Sequence, residues 1–253
     1  MSDKTEKKKT PHVEHWWHVL AIPPLLFLSA VMSWTLLKIA PDMSLTAALT
    51  PLAIGFGAGM LCFTLLFRLE DFYVFGHELT HWFFAKLFLR QTCGISRIKV
   101  KENGGCVLIE NPNFWIILAP YFVPFYLLLW CAAYGVWRLA IGNAFPEIAE
   151  PVFFGGFGLF YAYHVVMTLW ALFDGQKDLQ DCGPTFSISL IIFMNLVALY
   201  VTIVACNGRW ERDLQITWQI LIIQASWLDQ VLTDACSQLW RFIDVNILKS
   251  GNG

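Results

Sequence analysis

Residues 72–90 read FYVFGHELTHWFFAKLFLR. His77, Glu78 and His81 stand there in a stretch that is otherwise apolar with few exceptions. The two histidines are four apart, so on a helix they share a face. Outward from this stretch the chain stays apolar. Val19–Leu37 carries no charge for 19 residues, Ser44–Phe67 for 24, Asn111–Trp137 for 27, Pro151–Phe173 for 23 and Cys182–Gly208 for 27. The hydrocarbon core of a bilayer needs roughly 20 apolar residues per helix, so each of the five is long enough to span it.

Composition agrees. Of 253 residues, 57% are apolar and 14% charged, against about 25% charged in an ordinary soluble domain. The expected fold class is an all-α polytopic membrane protein with about five to six transmembrane helices. A polar tail (1–15), a membrane-embedded core (16–208) and a C-terminal amphipathic helix (209–253) are the expected units. Residues 44–89 are too long for one straight helix at 1.5 Å per residue. They form two helices, or one span that leads into a kinked or re-entrant segment. Gly55 and Gly59 fit a small-xxx-small helix contact, and Pro120 and Pro124 break the third run. Between residues 90 and 110, Ile95, Ile98, Val100, Val107 and Ile109 surround Asn103-Gly104-Gly105, which predicts a β-hairpin over Ile95–Ile109. Near the C-terminus Leu221, Leu228, Val231, Leu232, Ala235, Leu239, Phe242 and Ile243 recur at helical spacing, with Asp229, Asp234, Arg241 and Asp244 on other faces. That pattern predicts an amphipathic helix lying on the membrane or on the protein.

The net charge of −2 excludes little. No basic patch is large enough for nucleic acid, so the lipid bilayer is an expected partner and nucleic acid is not. Lys4, Lys7, Lys8 and Lys9 on the tail, and Arg90, Arg97, Lys99 and Lys101 further on, favour the cytoplasmic side for both segments. The first span does not read as a cleaved signal: it is long, contains Pro23 and Pro24, and no small-residue cleavage site follows clearly. Cys62, Cys131 and Cys206 lie in apolar runs, where cysteine behaves as a small hydrophobe. Cys93 and Cys106 flank a polar segment and could pair. No CxxC occurs, so a cysteine zinc site is not expected. His12, His15 and His18, interleaved with Trp16 and Trp17, suit a membrane interface better than a second metal site.

His77-Glu78-Leu79-Thr80-His81 is an HExxH motif. Histidines at i and i+4 present their imidazoles to one point, as a zinc ion requires, and the adjacent glutamate can reach a zinc-activated water without being a ligand. Chance occurrence and a packed polar cluster are the competing readings. Burying three such side chains unpaired in an apolar segment is costly, which favours the metal. Zinc needs a third protein ligand. The longer HExxHxxGxxH pattern is excluded, since Phe84 stands where its glycine belongs. The remaining candidates are Glu102 or Glu110, in or beside the hairpin, and Asp174, Asp178 or Asp181, after the fourth run.

An HExxH in an apolar segment, then a short hairpin, further spans and an aspartate at a helix boundary resembles the site-2 protease family of intramembrane zinc metallopeptidases. The likeness covers roughly residues 50–200 as an order of elements, with HExxH as its sharp motif. It implies a zinc-dependent endopeptidase that cleaves membrane-embedded proteins, with Glu78 as general base and His77 and His81 as ligands. It also implies a third ligand from an aspartate, often in an LDG motif. Phe173-Asp174-Gly175 matches with Phe in place of Leu. Asp178, followed by Gly183, Phe186-Ser187 and Asn195, resembles a longer variant in bacterial members. On that likeness Asp178 is favoured over Asp174, with Asp181 third, and a prokaryotic inner membrane is expected. His164, isolated in the fourth run, may be read as a contact of the metal site, a donor to a substrate carbonyl, or a bond to a neighbouring helix, the last being favoured. Asn111 and Asn113 are weaker candidates for holding substrate backbone. Two other functions compete: a membrane zinc protease using Glu102 or Glu110, and a non-catalytic metal-binding scaffold or transporter.

Overall fold

The computed structural model describes residues 16–40, 48–66, 69–92, 99–101, 104–106, 109–142 and 146–243. The N-terminal tail with its lysines, His12 and His15, the Pro41-Asp42 turn, Cys93, Ile95, Glu102, Asn103 and Val107 lie outside the described residues. So do the side chains of Cys106, Asn207 and Phe242.

Nine α-helices occur among the described residues: α1 (Trp16–Ile39), α2 (Leu49–Leu65), α3 (Glu70–Leu87), α4 (Phe114–Leu118), α5 (Phe125–Ile141), α6 (Ala149–Phe173), α7 (Lys177–Asp181), α8 (Pro184–Asn207) and α9 (Trp210–Ile243). Three are long and apolar enough to cross a membrane: Trp16–Ile39, Ala149–Phe173 and Pro184–Ala205. The count rises to five if two bent pairs each cross as one span. These are α2 with α3, which turn through 111°, and Phe114–Tyr121 with α5, which turn through 75°. A sixth span does not appear among the described residues. The 27-residue third run is broken where Pro120 and Pro124 withhold backbone donors: α4 tightens into a 3₁₀ turn, Ala119–Tyr121, before α5 starts anew.

Serines and threonines inside the helices donate back to the carbonyl four residues earlier, as Ser29 does to Leu25, Thr35 to Val31, Ser189 to Thr185 and Thr202 to Ala198. In lipid, polar groups must find partners within the protein, and these bonds satisfy them without leaving the helix. Many large apolar side chains on the long helices remain exposed, Leu20, Leu26, Leu37, Ile54 and Leu61 among them. Such a surface suits hydrocarbon and not water.

The closest helix contact is α2 against α6. A Cβ placed on Gly55 would stand 2.0 Å from the Gly155 carbonyl oxygen, and one on Gly158 would stand 2.1 Å from that of Leu52. Glycine is therefore required on both sides of this crossing. The small-residue spacing read from Gly55 and Gly59 does mark a packing face, with Gly59 against Ala162 and Leu159 of α6. Elsewhere α1 packs along α8, with Leu36, Ile39, Tyr200 and Ile203 forming a buried cluster. The larger core joins Leu118, Ala119, Tyr121 and Phe122 to Ala171, Leu179, Cys182, Phe186, Leu190 and Ile191, and the candidate site lies beside it.

One expectation needs correction. Of the hairpin expected over Ile95–Ile109, only three residue pairs are described. β1 (Lys99–Lys101) and β2 (Gly104–Cys106) pair antiparallel, Lys99 opposite Cys106 and Lys101 opposite Gly104, with an isolated bridge from Thr92 to Ile109. Two of the three residues of β2 are glycines, which contribute no side chain to a pleated surface. The pairing makes no structural layer, and the architecture is helical. The C-terminal helix α9 forms as expected, and its start rests on the protein. Asp213 and Ile220 are buried there, and the Tyr200 hydroxyl bonds Thr217 at 2.8 Å. Beyond Ile220 its described side chains are exposed or half-buried.

The glycine crossing is directly testable. Gly55→Ala forces backbone against backbone and is expected to lower stability by about 1–3 kcal/mol, read as a fall in the thermal midpoint of the purified protein. Gly57→Ala, where nothing lies within 4 Å of the added Cβ, is the control and should be neutral or slightly stabilising.

Candidate metal centre

The site is assembled from α3, α4, the 3₁₀ turn and α7. On α3, His77 and His81 lie one turn apart and face the same way. Their Nε2 atoms are 3.0 Å from each other. The carboxylate of Asp178, on α7, closes the group: its Oδ2 lies 3.2 Å from His77 Nε2 and 3.3 Å from His81 Nε2. Among the described residues this is the one grouping of three histidine, cysteine or acidic side chains that can hold a metal ion.

The donor chemistry fits an ion better than a shared proton. His81 Nδ1 lies 2.7 Å from the Ile116 carbonyl, which can only accept, so Nδ1 carries the hydrogen. Neutral His81 then presents a lone pair at Nε2. It faces the Asp178 oxygen, which is also an acceptor and already receives the Tyr121 hydroxyl at 3.0 Å. One hydrogen from His77 cannot satisfy both. A four-coordinate ion with bonds of about 2.0–2.1 Å separates its ligand atoms by about 3.3 Å. The three observed separations lie close to the edges of such a tetrahedron.

Two of the three candidate ligands, His81 and Asp178, are held from behind. Asn113 caps α4 by accepting from the Ile116 amide at 2.9 Å, and Ile116 in turn orients His81. Thr80 donates to the Gly76 carbonyl at 2.7 Å within α3. Tyr163 donates to the Leu69 carbonyl at 3.1 Å, and Tyr126 to that of Phe72, which ties the start of α3 to α6 and α5. Asp178 is placed by its neighbours. Leu179 is buried in the core, and the Ser187 hydroxyl lies 3.2 Å from the Leu179 carbonyl and 2.9 Å from that of Gly183. Gly183 joins α7 to α8 at φ +87°, in the left-handed region that disfavours other residues.

Glu78 is 8% exposed, on α3 next to His77. The other candidates among the described residues stand apart from the group. Asp174 caps the end of α6 and is exposed. Asp181 ends α7 half-buried, and Glu110 is exposed, its amide bonded to the Gln91 carbonyl. His18 is buried in a ring stack with Phe186 at 4.2 Å. Tyr121 was not legible as a site residue. It sits in an aromatic run with no polar spacing around it, yet it is fully buried and bonds Asp178. Its carbonyl accepts from Asn195 at 3.0 Å and from Thr168 at 3.4 Å.

No protein-family model matches this chain, and neither a curated protein nor a solved structure shows detectable similarity to it.

Asp178→Ala is expected to abolish metal retention, and Asp174→Ala and Glu110→Ala to leave it intact, measured as metal content after stripping and reloading. Tyr121→Phe, which removes one bond to a ligand, should weaken metal binding by about 10–100-fold in a chelator competition.

Proposed function

We propose that the chain is an intramembrane zinc metalloprotease, a divergent relative of the site-2 protease family, that hydrolyses peptide bonds of membrane-embedded proteins. The observation that carries this reading is a near-tetrahedral set of two imidazoles and one carboxylate with a buried glutamate next to the first ligand. Two imidazoles and one oxygen suit zinc. Three protein ligands leave a position for a reactant, as in catalytic and not structural zinc sites. When bound, zinc would polarise the scissile carbonyl and acidify a water.

The chain's own residues supply the rest. Glu78 takes the proton from the attacking water and returns it to the leaving amine. Ile116 and Tyr121 fix the orientation of His81 and Asp178, so that a fourth ligand meets a preset geometry. The apolar helices keep the site dry, which strengthens each charge interaction within it. A substrate segment must be extended before its amide can be attacked. The short β1–β2 pairing between α3 and α4 offers an edge to which an extended strand can add. The basic tail places the N-terminus in the cytoplasm.

The deciding experiment uses the full chain reconstituted in lipid with single-span membrane peptides as substrates. Glu78→Gln should keep its zinc and lose cleavage by at least about 10²-fold. Cleavage that survives this change removes Glu78 as the base. Loss of zinc would make Glu78 a ligand. Zinc retained by a wild-type chain that cleaves no membrane peptide would favour a metal-binding scaffold.

A further inference from the structure

Behind the metal centre three side chains carry a buried polar atom without a hydrogen-bond partner: the Tyr73 hydroxyl, His77 Nδ1 and His164 Nε2. All three residues line one cavity of about 30 Å³, closed in by Gly76, Thr80 and Pro120. A cavity needs about 10–15 Å³ to hold a water, and the water needs two to four polar partners. This cavity meets the first condition, and the three unpartnered atoms are the candidates for the second.

The tautomers of the two histidines follow from their other contacts. Asn195 commits its amide hydrogens to the Tyr121 carbonyl at 3.0 Å and the Ile191 carbonyl at 2.9 Å. Its oxygen is the atom that remains to interact with His164. That oxygen accepts, so His164 donates. Since His164 Nε2 has no partner, the donor is Nδ1, and Nε2 keeps its lone pair. His77 is the reverse. Its Nε2 faces His81 and Asp178, and a histidine that binds metal through Nε2 carries its hydrogen on Nδ1. The cavity therefore has a donor on His77, an acceptor on His164 and, on Tyr73, a hydroxyl that can do either.

We propose that His164 is a positioning residue of the metal centre that holds His77 through a water bound in this cavity. His77 Nδ1–H donates to the water, the water donates to His164 Nε2, and the Tyr73 hydroxyl gives it a third partner. His164 is not a ligand: its nitrogens do not join the group whose ligand atoms lie within 4.8 Å of one another. The arrangement closes a circuit. From His77 it runs through the water to His164, then to Asn195, the Tyr121 carbonyl, the Tyr121 hydroxyl and Asp178. Two ligands from distant parts of the chain are thereby oriented by one network. A metal-binding histidine nearly always donates its second N–H to an acceptor; His81 does so to Ile116 directly, and His77 does so through water. The inference rests on the metal reading of His77, His81 and Asp178 and is independent of peptide hydrolysis.

The test uses the full-length chain with Zn²⁺ and Co²⁺ as probes. Zinc affinity is measured against a chelator, the visible ligand-field bands of the cobalt form are recorded, and the thermal midpoint of the metal-free protein is followed. His164→Leu should weaken zinc binding by about 10–100-fold and shift the cobalt bands. His164→Gln, whose carbonyl oxygen can accept from the same water, should restore most of the affinity and the wild-type bands. Wild-type affinity in His164→Leu overturns the proposal. So do equal losses in both variants, because a purely structural histidine would not be rescued by a hydrogen-bond acceptor. A wild-type chain that binds neither ion overturns the metal centre and this proposal together. A chain that binds both ions as described but cleaves nothing overturns only the hydrolytic reading.

Discussion

With its hydrogen on Nδ1, neutral His81 holds a lone pair at Nε2 only 3.3 Å from the acceptor Asp178 Oδ2, inside an apolar helical protein. Lone pairs brought that close repel unless something positive stands between them, and the repulsion is worse where water cannot screen it. The surrounding structure acts to keep them there. Ile116 and Tyr121 turn both atoms inward, Asn113 fixes the end of α4, and Ser187 with Leu179 seats α7 on α8. A protein that spends a helix cap, a 3₁₀ turn and a buried tyrosine on aiming two acceptors at one point has the anatomy of a cation site.

How much of this could be read in advance depends on whether the signal was local. His77, Glu78 and His81 are local: three residues within one helical turn, in a background with almost no other charge. The long helices were legible for the same reason, since a membrane span is a continuous property of its own sequence. The glycine contact was half legible, with Gly55 and Gly59 visible as a spacing but their partners Gly155, Leu159 and Ala162 not assignable from α2 alone. Asp178 is 101 residues from His77. Nothing in either segment fixes that distance in space, and Asp174 carried a motif match that the fold does not use. Tyr121 was invisible because its role depends on where a proline-broken turn places a phenol.

The bent helix pairs were legible from their length and their helix breakers. Asn111–Trp137 carries no charge, but prolines at 120 and 124 remove two backbone donors, and the chain turns through 75° there. That break matters, because it brings the Tyr121 hydroxyl to the metal ligands and leaves the Tyr121 carbonyl free to receive Asn195. The hairpin is described only in part: Lys99–Lys101 pairs with Gly104–Cys106, and two of the three residues of that second strand are glycines.

The shortness of α7 has a topological consequence. It is a five-residue connector between two long helices, and it alone delivers an acidic ligand to a pair fixed on α3. An ion bound there would be a cross-link. It fastens the connector between α6 and α8 to the middle of the amino-terminal half, closing a loop of 101 residues whose entropy in the unfolded chain is correspondingly large. The helices that such a fastener draws together are those that form the wall of the site, so occupancy by metal and the integrity of the bundle become one equilibrium.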